Sequence, residues 1–446
     1  MINDKELDLL RAALGKLEQG ASDLPDFTPQ VDADRVADVL GEVAGRMQDN
    51  YPYFHPLYAG QMLKPPHPVA RIAYALSLWV NPNNHALDGG RASSAMEKEC
   101  IVELGRMFGW QEPLGHLAGG GTMANLEALW VAGRLRPGKT IIASEMAHYT
   151  HGRISEVLGI PFAGIAVDDS GRMDVAAVEE ALATGDVGTV VVTAGTTGLG
   201  AVDPLPEILA LRDKYEFRIH ADAAYGGYFS LASETDTATA SVLTALGEAD
   251  SIVIDPHKHG LQPYGCGCVL FRDSAVGRFY QHDSPYTYFS SDELHLGEIT
   301  LECSRPGAAA VALWATHRLL PLCPGGEFAA GLDACLRAAR AFRARLGESE
   351  HFAPLVQPQL DIVTYAVDAD TATAASKRAQ AVFEAAAQRN LHLALIELPV
   401  AFVRNYAPRI AADAAHVTCL RSVLMKPEHE DWVAQITALL EECAAA

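Results

Sequence analysis

The chain has 446 residues, enough to bury a sizeable core, and its 49% hydrophobic and 20% charged residues are typical of a compact soluble protein. A formal net charge of -22 argues against nucleic-acid binding, which requires a basic face. No run approaches the roughly 18 consecutive apolar residues of a membrane span, and the acidic N-terminus does not have the pattern of a secretion signal.

The eight cysteines are scattered along the chain. The one close pair, Cys266 and Cys268, has no second pair at metal-ligand spacing, so we expect no metal site. Small buried thiols in a reducing cytoplasm are the better interpretation, and a cytoplasmic location is expected.

The N-terminal segment, residues 1–60, is predicted to be helical because its first apolar residues recur at helical spacing. From about residue 95 to 310, helix-like and strand-like segments alternate. This order predicts an α/β fold with a mostly parallel sheet covered by helices on both faces. The segments are SSAMEKECIVELGRMFGW, VAAVEEALATG and PEILALRDKYE as helices, and KTIIAS, TVVVTAG and RIHADA as strands.

The composition changes near residue 325 to an alanine- and arginine-rich helix, EFAAGLDACLRAARAFRARLG. A strand candidate, DIVTYAV, another helix and a last strand-helix pair follow. We predict a large domain over residues 61–320 and a smaller α/β domain over residues 321–446, with a hinge region at 321–326.

Polar and glycine-rich residues collect where the predicted strands end, which is where ligands lie on parallel sheets. Gly119, Gly120, Gly121 and Thr122 open a long helix, so backbone N–H groups, the helix dipole and a hydroxyl converge on a point that suits a phosphate. Alone, such a run is more often a tight turn. It also lacks the Gly-x-Gly-x-x-Gly and Walker patterns, so a nucleotide site is disfavoured.

Asp222 and Lys258 follow two further strands. Taken singly, Asp222 would be an ordinary loop or helix-capping aspartate and Lys258 a surface lysine beside a turn. A carboxylate, a lysine and a phosphate cradle at one sheet edge suit a phosphorylated aromatic aldehyde. Pyridoxal 5'-phosphate is the cofactor that needs all three, because it forms an imine with a lysine and presents a ring nitrogen to a carboxylate.

A set of motifs resembles the group II pyridoxal-phosphate-dependent amino-acid decarboxylases, the family of the aromatic-amino-acid and glutamate decarboxylases. The resemblance spans roughly residues 50 to 440. It implies fold type I, with a mostly parallel seven-stranded sheet in the large domain, and a homodimer with sites at the subunit interface. The motifs are GGGTMANLEAL, SEMAH, TAGTTGLGAVDP, HADAAYGGY, ADSIVIDPHK and LECSRPGAAAVALW.

The resemblance implies that Lys258 is the Schiff-base lysine and that Asp222 pairs with the pyridinium nitrogen. A close pair of unit charges at an effective dielectric of 20 is worth about 4 kcal/mol, which keeps the ring protonated. His148 matches the histidine that stacks on the ring, and Ala224 matches the residue that packs on its opposite face. Without the other motifs, His148 would be a helix-start histidine bonded to the backbone.

Further cofactor contacts are implied in the same way. Gly121, Thr122 and Ser251 match phosphate-contacting positions, and Thr197 matches a threonine near the ring substituents. His257 matches a histidine on the phosphate side of the site.

The substrate pocket is less defined. Arg421 matches an arginine that receives the substrate's α-carboxylate in glutamate decarboxylases, although a strand arginine in a surface salt bridge is equally common. Gln61 and Asn83 resemble side-chain pocket residues of that subfamily, which favours a polar or acidic substrate. His85 and Tyr58 could equally frame a phenol, so the choice between acidic or polar and aromatic amino acids stays open.

The predicted reaction is α-decarboxylation of an L-amino acid to carbon dioxide and an amine. By motif order, Tyr286 and Tyr288 lie in the loop from which the family supplies a proton, and Tyr288 is the predicted donor. An aldehyde synthase, a carbon–carbon lyase or an aminotransferase on the same fold is the alternative. A non-enzymatic scaffold is disfavoured by the intact Lys258 and Asp222.

Overall fold

The computed structural model describes residues 4–25, 27–87, 89–281 and 299–445. The strands are β1 (Leu114–Ala118), β2 (Thr140–Ser144), β3 (Phe162–Ile165), β4 (Val187–Thr193), β5 (Arg218–Asp222), β6 (Ser251–Ile254), β7 (Gly267–Phe271), β8 (Phe352–Pro354), β9 (Ile362–Val367), β10 (Ala394–Pro399) and β11 (His416–Val423). The helices are α1 (Asp4–Gln19), α2 (Ala33–Met47), α3 (Pro68–Ser77), α4 (Arg91–Met107), α5 (Gly121–Leu135), α6 (Thr150–Leu158), α7 (Val175–Ala183), α8 (Leu205–Ala210), α9 (Thr237–Ala245), α10 (Gly307–Leu319), α11 (Glu327–Gly347), α12 (Ala372–Gln388), α13 (Val400–Arg404) and α14 (His429–Ala445).

The large sheet has seven strands in the order β1-β7-β6-β5-β4-β2-β3. Neighbours from β3 across to β6 are parallel, whereas β7 runs antiparallel to both β6 and β1. The pairing aligns Thr193 with Asp222 and Asp222 with Val253, so the carboxyl ends of three central strands lie at one edge. The predicted mostly parallel sheet is confirmed.

Helices cover both faces of this sheet. Along β6, Val253 packs on the face against α5, with Ala124 and Ala128, whereas Ile252 and Ile254 belong to the core on the opposite face. Every residue of β4 is buried. Burial on both faces explains why these strands are continuous apolar runs without polar alternation.

The small sheet is antiparallel, with the order β10-β11-β9-β8. Helix α11 contributes Phe328 and Leu332 to the main core and Phe342 and Leu346 to the core beneath the small sheet. The two sheets therefore share one long helix. The division of the chain at residues 60/61 and 320/321 stays a prediction.

The N-terminal helices α1 and α2 have no buried residue. Apolar side chains of α2 are exposed, among them Val39 (54%), Leu40 (60%) and Met47 (62%). No described helix has both the length and the apolar character needed to cross a membrane.

Candidate active site

A cavity of about 600 Å³ lies at the carboxyl edge of the large sheet. It is bounded by the start of α5, by the segments that follow β4, β5 and β6, and by the turn before α6. The structure brings most of the predicted site residues into its lining: Gly121, Thr122, His148, Thr197, Asp222, Ala224, His257 and Lys258.

Lys258 lies four residues beyond the end of β6, with its side chain 21% exposed. Its Nζ is 3.2 Å from Oδ2 of Asp255. Oδ1 of Asp255 is buried and has no hydrogen-bond partner in the described part of the chain. Lys258 is therefore held in the cavity by a buried carboxylate, and it is not a surface lysine beside a turn.

Asp222 ends β5 and is buried. Its Oδ2 accepts hydrogen bonds from Nε2 of His151 at 2.8 Å and from Nδ2 of Asn125 at 3.4 Å, while Oδ1 accepts one from the Ala224 amide at 3.2 Å. Burial acts to raise the pKa of Asp222. The His151 hydrogen bond and the positive potential from His151 and Lys258 outweigh that effect and hold the pKa well below its usual range.

A buried chain of hydrogen bonds orients Asn125. Nε2 of His220 donates to Oδ1 of Asn125 at 2.8 Å, and Nδ1 of His220 lies 2.8 Å from the Ser251 hydroxyl. Burial lowers the pKa of His220 to about 3, so its ring is neutral and one nitrogen can accept. With Oδ1 of Asn125 bonded to His220, the amide nitrogen of Asn125 faces Asp222 and donates to it.

The expected phosphate contact of Ser251 is corrected by this arrangement. Ser251 is the first residue of β6, at the opposite end of the strand from the cavity, and it does not line the cavity. Its hydroxyl supports Asp222 indirectly, through His220 and Asn125.

The glycine run forms a tight cradle at the start of α5. No side chain caps this helix, so the N–H groups of its first turn are available to an anion. A Cβ on Gly121 would lie 2.6 Å from Oδ2 of Asp255, and a Cβ on Gly267 would lie 2.5 Å from the carbonyl carbon of Gly120. Only glycine fits where β7 and Asp255 approach this turn so closely.

The two lining histidines are neutral. His148 is partly buried, its Nδ1 lies 2.5 Å from the Thr150 hydroxyl, and burial lowers its pKa. Nδ1 of His257 lies 2.8 Å from the Cys266 carbonyl oxygen, and burial lowers the pKa of His257 as well. Both rings therefore offer uncharged surfaces to the cavity.

Arg421 lies beside the cavity on β11, and it is 5% exposed. Its guanidinium donates to the Thr197 carbonyl at 2.8 Å and to Oε1 of Gln61 at 2.6 Å. No carboxylate in the described part of the chain forms an ion pair with it, and burial lowers its pKa. The surface salt bridge considered for Arg421 is absent among these residues, and Gln61 lies next to it.

Asn83 and His85 do not line the part of the cavity that this chain forms, and their place in the substrate pocket stays a prediction. Oδ1 of Asn83 accepts from the backbone amides of His85 at 3.1 Å and Arg305 at 3.0 Å, and its Nδ2 donates to Ser304 at 3.2 Å. The side chain of Asn83 is used to fix this loop against residues 304–306. The predicted proton donor Tyr288 and its neighbour Tyr286 lie outside the described residues.

Comparison with known protein families gives a match to the pyridoxal-dependent decarboxylase conserved domain over residues 134–367, more than half of the chain. The chain belongs to the pyridoxal-dependent decarboxylase family. The match covers α6, the strands β2 to β6 with their connections, and Lys258.

Two relatives and one solved structure are similar to this pyridoxal-dependent decarboxylase. An L-tyrosine decarboxylase of Enterococcus faecium is 28% identical over 78% of this chain and 74% of the relative. A probable L-tyrosine/L-aspartate decarboxylase of Methanothermobacter thermautotrophicus is 30% identical over 69% of this chain and 82% of the relative. The structure of Oryza sativa TDC with PLP and tryptamine has a TM-score of 0.76 at 17% identity, and the match covers 97% of this chain and 98% of that one.

The protein is therefore an amino-acid decarboxylase that depends on pyridoxal 5'-phosphate and releases carbon dioxide and an amine. The cavity fits this cofactor: it offers the amine of Lys258, the ionised carboxylate of Asp222 and a glycine cradle at a helix N-terminus that an added Cβ would fill. When bound, the cofactor supplies an electron sink for the electron pair left by carbon dioxide.

Sequence reasoning missed His151, Asn125, His220 and Asp255. A signal for His220 was present, since residues two apart on a strand point to the same face, and His220 therefore shares a face with Asp222. Asn125 lies one helical turn after Gly121, on the helix that covers that face. The contact of His151 with Asp222 joins residues 71 positions apart and has no local signal.

Proposed function

We propose that Lys258 bonds the cofactor covalently, that Asp222 keeps a proton on its ring nitrogen, and that the ring lies between His148 and Ala224. The first turn of α5, with Thr122, would hold the phosphate, and His257 would lie beside it. The observation that supports this most strongly is the position of Lys258 and the ionised Asp222 in one cavity at the sheet edge.

The assignment of Lys258 is tested by Lys258→Ala. We expect a folded protein that loses the visible absorbance of lysine-bound cofactor after desalting and has no measurable turnover. Lys377→Ala, which removes an exposed lysine of α12, should keep both. Turnover by Lys258→Ala near the wild-type rate would refute the assignment.

We propose an aromatic L-amino acid such as L-tyrosine as the substrate. Lys258 is the one lysine or arginine among the described residues that line the cavity, and the lining histidines His148 and His257 are neutral. Arg421 can receive the α-carboxylate. An acidic side chain would then lack a second cation, and an unpaired buried carboxylate is costly. The name of the Enterococcus faecium relative agrees with this choice.

L-aspartate is the second candidate. The name of the Methanothermobacter thermautotrophicus relative includes it, and Gln61 beside Arg421 could bond a second carboxylate. Amine and carbon dioxide release should be measured with L-tyrosine, L-tryptophan, L-aspartate, L-glutamate and cysteine sulfinate. Higher kcat/KM for tyrosine than for the three acids supports the aromatic assignment, and the reverse order supports the acidic one.

We propose a homodimer with its sites at the interface. The exposed apolar side chains of α2 and the exposed Leu78, Trp79 and Val80 beyond α3 support an interface on this part of the surface. Sedimentation of wild type should give twice the chain mass. Val39→Glu should shift the protein toward monomer, while Glu42→Gln on the same helix should not.

Tyr288 is proposed as the donor of the proton that the α-carbon takes up after carbon dioxide leaves. Tyr288→Phe should slow amine formation and yield some aldehyde with peroxide in the presence of oxygen. Wild-type amine formation without peroxide would remove Tyr288 from this role, and Tyr286→Phe would then be the next test.

A further inference from the structure

A second cavity of about 370 Å³ lies away from the active site and shares none of its lining residues. Its walls come from residues 64–68 before α3, from His259 and Leu261 beyond Lys258, from the first turns of α11 and from residues 426–428 before α14. The cavity therefore lies where segments distant in the sequence meet.

Two lysines of this cavity, Lys64 and Lys426, are hydrogen-bonded to backbone carbonyl groups of the described chain. Nζ of Lys426, a residue that is 3% exposed, donates to the Tyr58 carbonyl at 2.6 Å and lies 5.3 Å from the Tyr58 ring. Nζ of Lys64 donates to the Met425 carbonyl at 3.1 Å. Within the described ranges, no carboxylate forms an ion pair with either ammonium group. An ammonium has three N–H donors, so both lysines keep donors for a further acceptor.

His259 gives a separate indication of a ligand. It is 1% exposed and lines the same cavity, and its Nδ1 has no hydrogen-bond partner in the described chain. Its other ring nitrogen faces Oδ2 of Asp361 at 3.1 Å. Buried polar atoms are nearly always bonded. A ring nitrogen without a described partner, on a residue that lines the same cavity as Lys64 and Lys426, therefore indicates a place for an acceptor or donor that the chain does not supply.

The remaining lining limits the kind of ligand. Phe54, Leu261, Leu320, Phe328 and Leu332 form apolar walls, and the exposed Glu327 and Glu428 also line the cavity. An inorganic anion would bond the lysines but leave these walls without contact. A carboxylate attached to an apolar body satisfies both, because apolar surface gains free energy on leaving water.

We propose that this second cavity binds a small organic carboxylate, with its carboxylate group bonded to Lys64 and Lys426 and its apolar body against the leucine and phenylalanine walls. The proposal is independent of the identity of the decarboxylase substrate. It adds a binding site to the protein outside the catalytic cavity.

The protonation of the lysines agrees with this geometry. Burial lowers the pKa of Lys426 to about 7, with a further contribution from the charge of Lys64, and burial also lowers the pKa of Lys64. A bound carboxylate favours the charged ammonium forms. Binding at pH 8 is therefore accompanied by proton uptake, which calorimetry in buffers of different ionisation enthalpy measures.

The test uses the holoenzyme and benzoate as the probe, by isothermal titration calorimetry at constant chloride concentration. Benzamide, which has the same ring without the charge, is the matched ligand control. We expect saturable binding of benzoate that is at least 10-fold tighter than that of benzamide. Absence of saturable benzoate binding overturns the proposal.

Variants separate this cavity from the active site. Lys64→Gln and Lys426→Gln should each weaken benzoate binding at least 10-fold, while Lys377→Gln makes the same charge change on the surface and should leave it unchanged. Arg421→Gln should retain binding, since Arg421 is beside the catalytic cavity. If Arg421→Gln abolishes benzoate binding while Lys64→Gln retains it, the proposal is overturned. If Lys426→Gln does not fold, the partly exposed Lys64 decides the result.

Discussion

Asp222 is a buried carboxylate, and the hydrogen-bond donors around it stabilise its negative charge. His151, Asn125 and the Ala224 amide all donate to it. Asp222→Asn keeps the shape but removes the charge. We expect the cofactor to stay bound and kcat to fall about 100-fold or more, since a loss of 3 kcal/mol in the transition state exceeds a factor of 100. A rate within threefold of wild type would falsify the pairing of Asp222 with the ring nitrogen.

His151 is predicted to act through Asp222 as a positioning residue. His151→Phe removes the 2.8 Å hydrogen bond, so the pKa of Asp222 should rise toward the value that burial favours. We expect a fall in kcat on the order of 10-fold and a shift of the acid limb of the pH–kcat profile to higher pH.

The conservative variant His151→Gln, which keeps an N–H donor, should recover part of the rate and of the acid limb. A purely structural role would lower the yield of folded protein without moving the pH profile. An unchanged acid limb in His151→Phe would therefore contradict the predicted role.

The predicted site residues that line the cavity share one property: they lie at or just after the carboxyl ends of strands. Asp222 and Lys258 are examples, because the carboxyl ends of neighbouring parallel strands meet. Ser251 was misplaced because it begins β6. Three residues of strand separate it from the strand's end, a distance of about 10 Å. Asn83 does not line the cavity formed by this chain, and its place in the substrate pocket stays a prediction.

At the scale of elements, the proposed phosphate position at the start of α5 can be tested with a glycine substitution. Gly121→Ala places a Cβ 2.6 Å from the Asp255 carboxylate, which is buried and paired with Lys258. Either Asp255 or the helix start must shift. We expect the dissociation constant of the cofactor to rise about 10-fold or more, a cost of roughly 1.4 kcal/mol.

Gly15→Ala is the matched control for this change, because a Cβ at Gly15 in α1 meets nothing within 4 Å. Alanine in a helix interior is more favourable than glycine, so this variant should bind cofactor normally and be slightly more stable. The cofactor affinity of each variant is measured by the fluorescence change on adding cofactor to apoenzyme. Equal affinities for the two variants would show that the cradle tolerates a Cβ.

The elements themselves followed well from the apolar pattern. The predicted segments KTIIAS, TVVVTAG and RIHADA correspond to β2, β4 and β5. The helix predicted from PEILALRDKYE is shorter, since α8 ends at Ala210 and a 3-10 turn follows over Leu211–Asp213. The direction of β7 could not be predicted from the sequence, because a buried apolar strand has the same residue pattern in parallel and antiparallel pairing.

At the scale of the whole molecule, the N-terminal and C-terminal parts are joined by buried polar contacts as well as by α11. His429, at the start of α14, is fully buried. Its Nε2 donates to the Pro56 carbonyl at 3.0 Å, and its Nδ1 accepts from the Lys426 amide at 3.2 Å. This pattern requires the neutral ring, and it fixes residues 56–58 against the last helix. Such a long-range contact could not be predicted from local sequence.

These contacts predict how the stability of the molecule depends on pH. Burial lowers the pKa of His429 to about 3, and the Lys426 charge adds to this; burial likewise lowers the pKa of His220 to about 3. The unfolded chain, with histidine near 6.5, binds more protons between about pH 3 and 6.5. The free energy of unfolding should therefore fall as the pH drops through this range, by about 1.4 kcal/mol per pH unit for each histidine.

The variant His429→Gln isolates one of these contributions. Urea unfolding at pH 4, 5 and 6 should show a dependence of the unfolding free energy on pH that is smaller than in wild type by about 1.4 kcal/mol per unit, since the group that protonates on unfolding is gone. His416→Gln removes an exposed histidine of β11 and should leave the wild-type slope. If the unfolding free energies of His429→Gln and wild type change equally with pH, His429 has the same pKa in the folded and unfolded states. The prediction of a neutral buried ring is then wrong. A smaller pH dependence of the unfolding free energy, together with a lower stability at pH 7, would show that the hydrogen bonds of neutral His429 stabilise the contact between Pro56 and the start of α14.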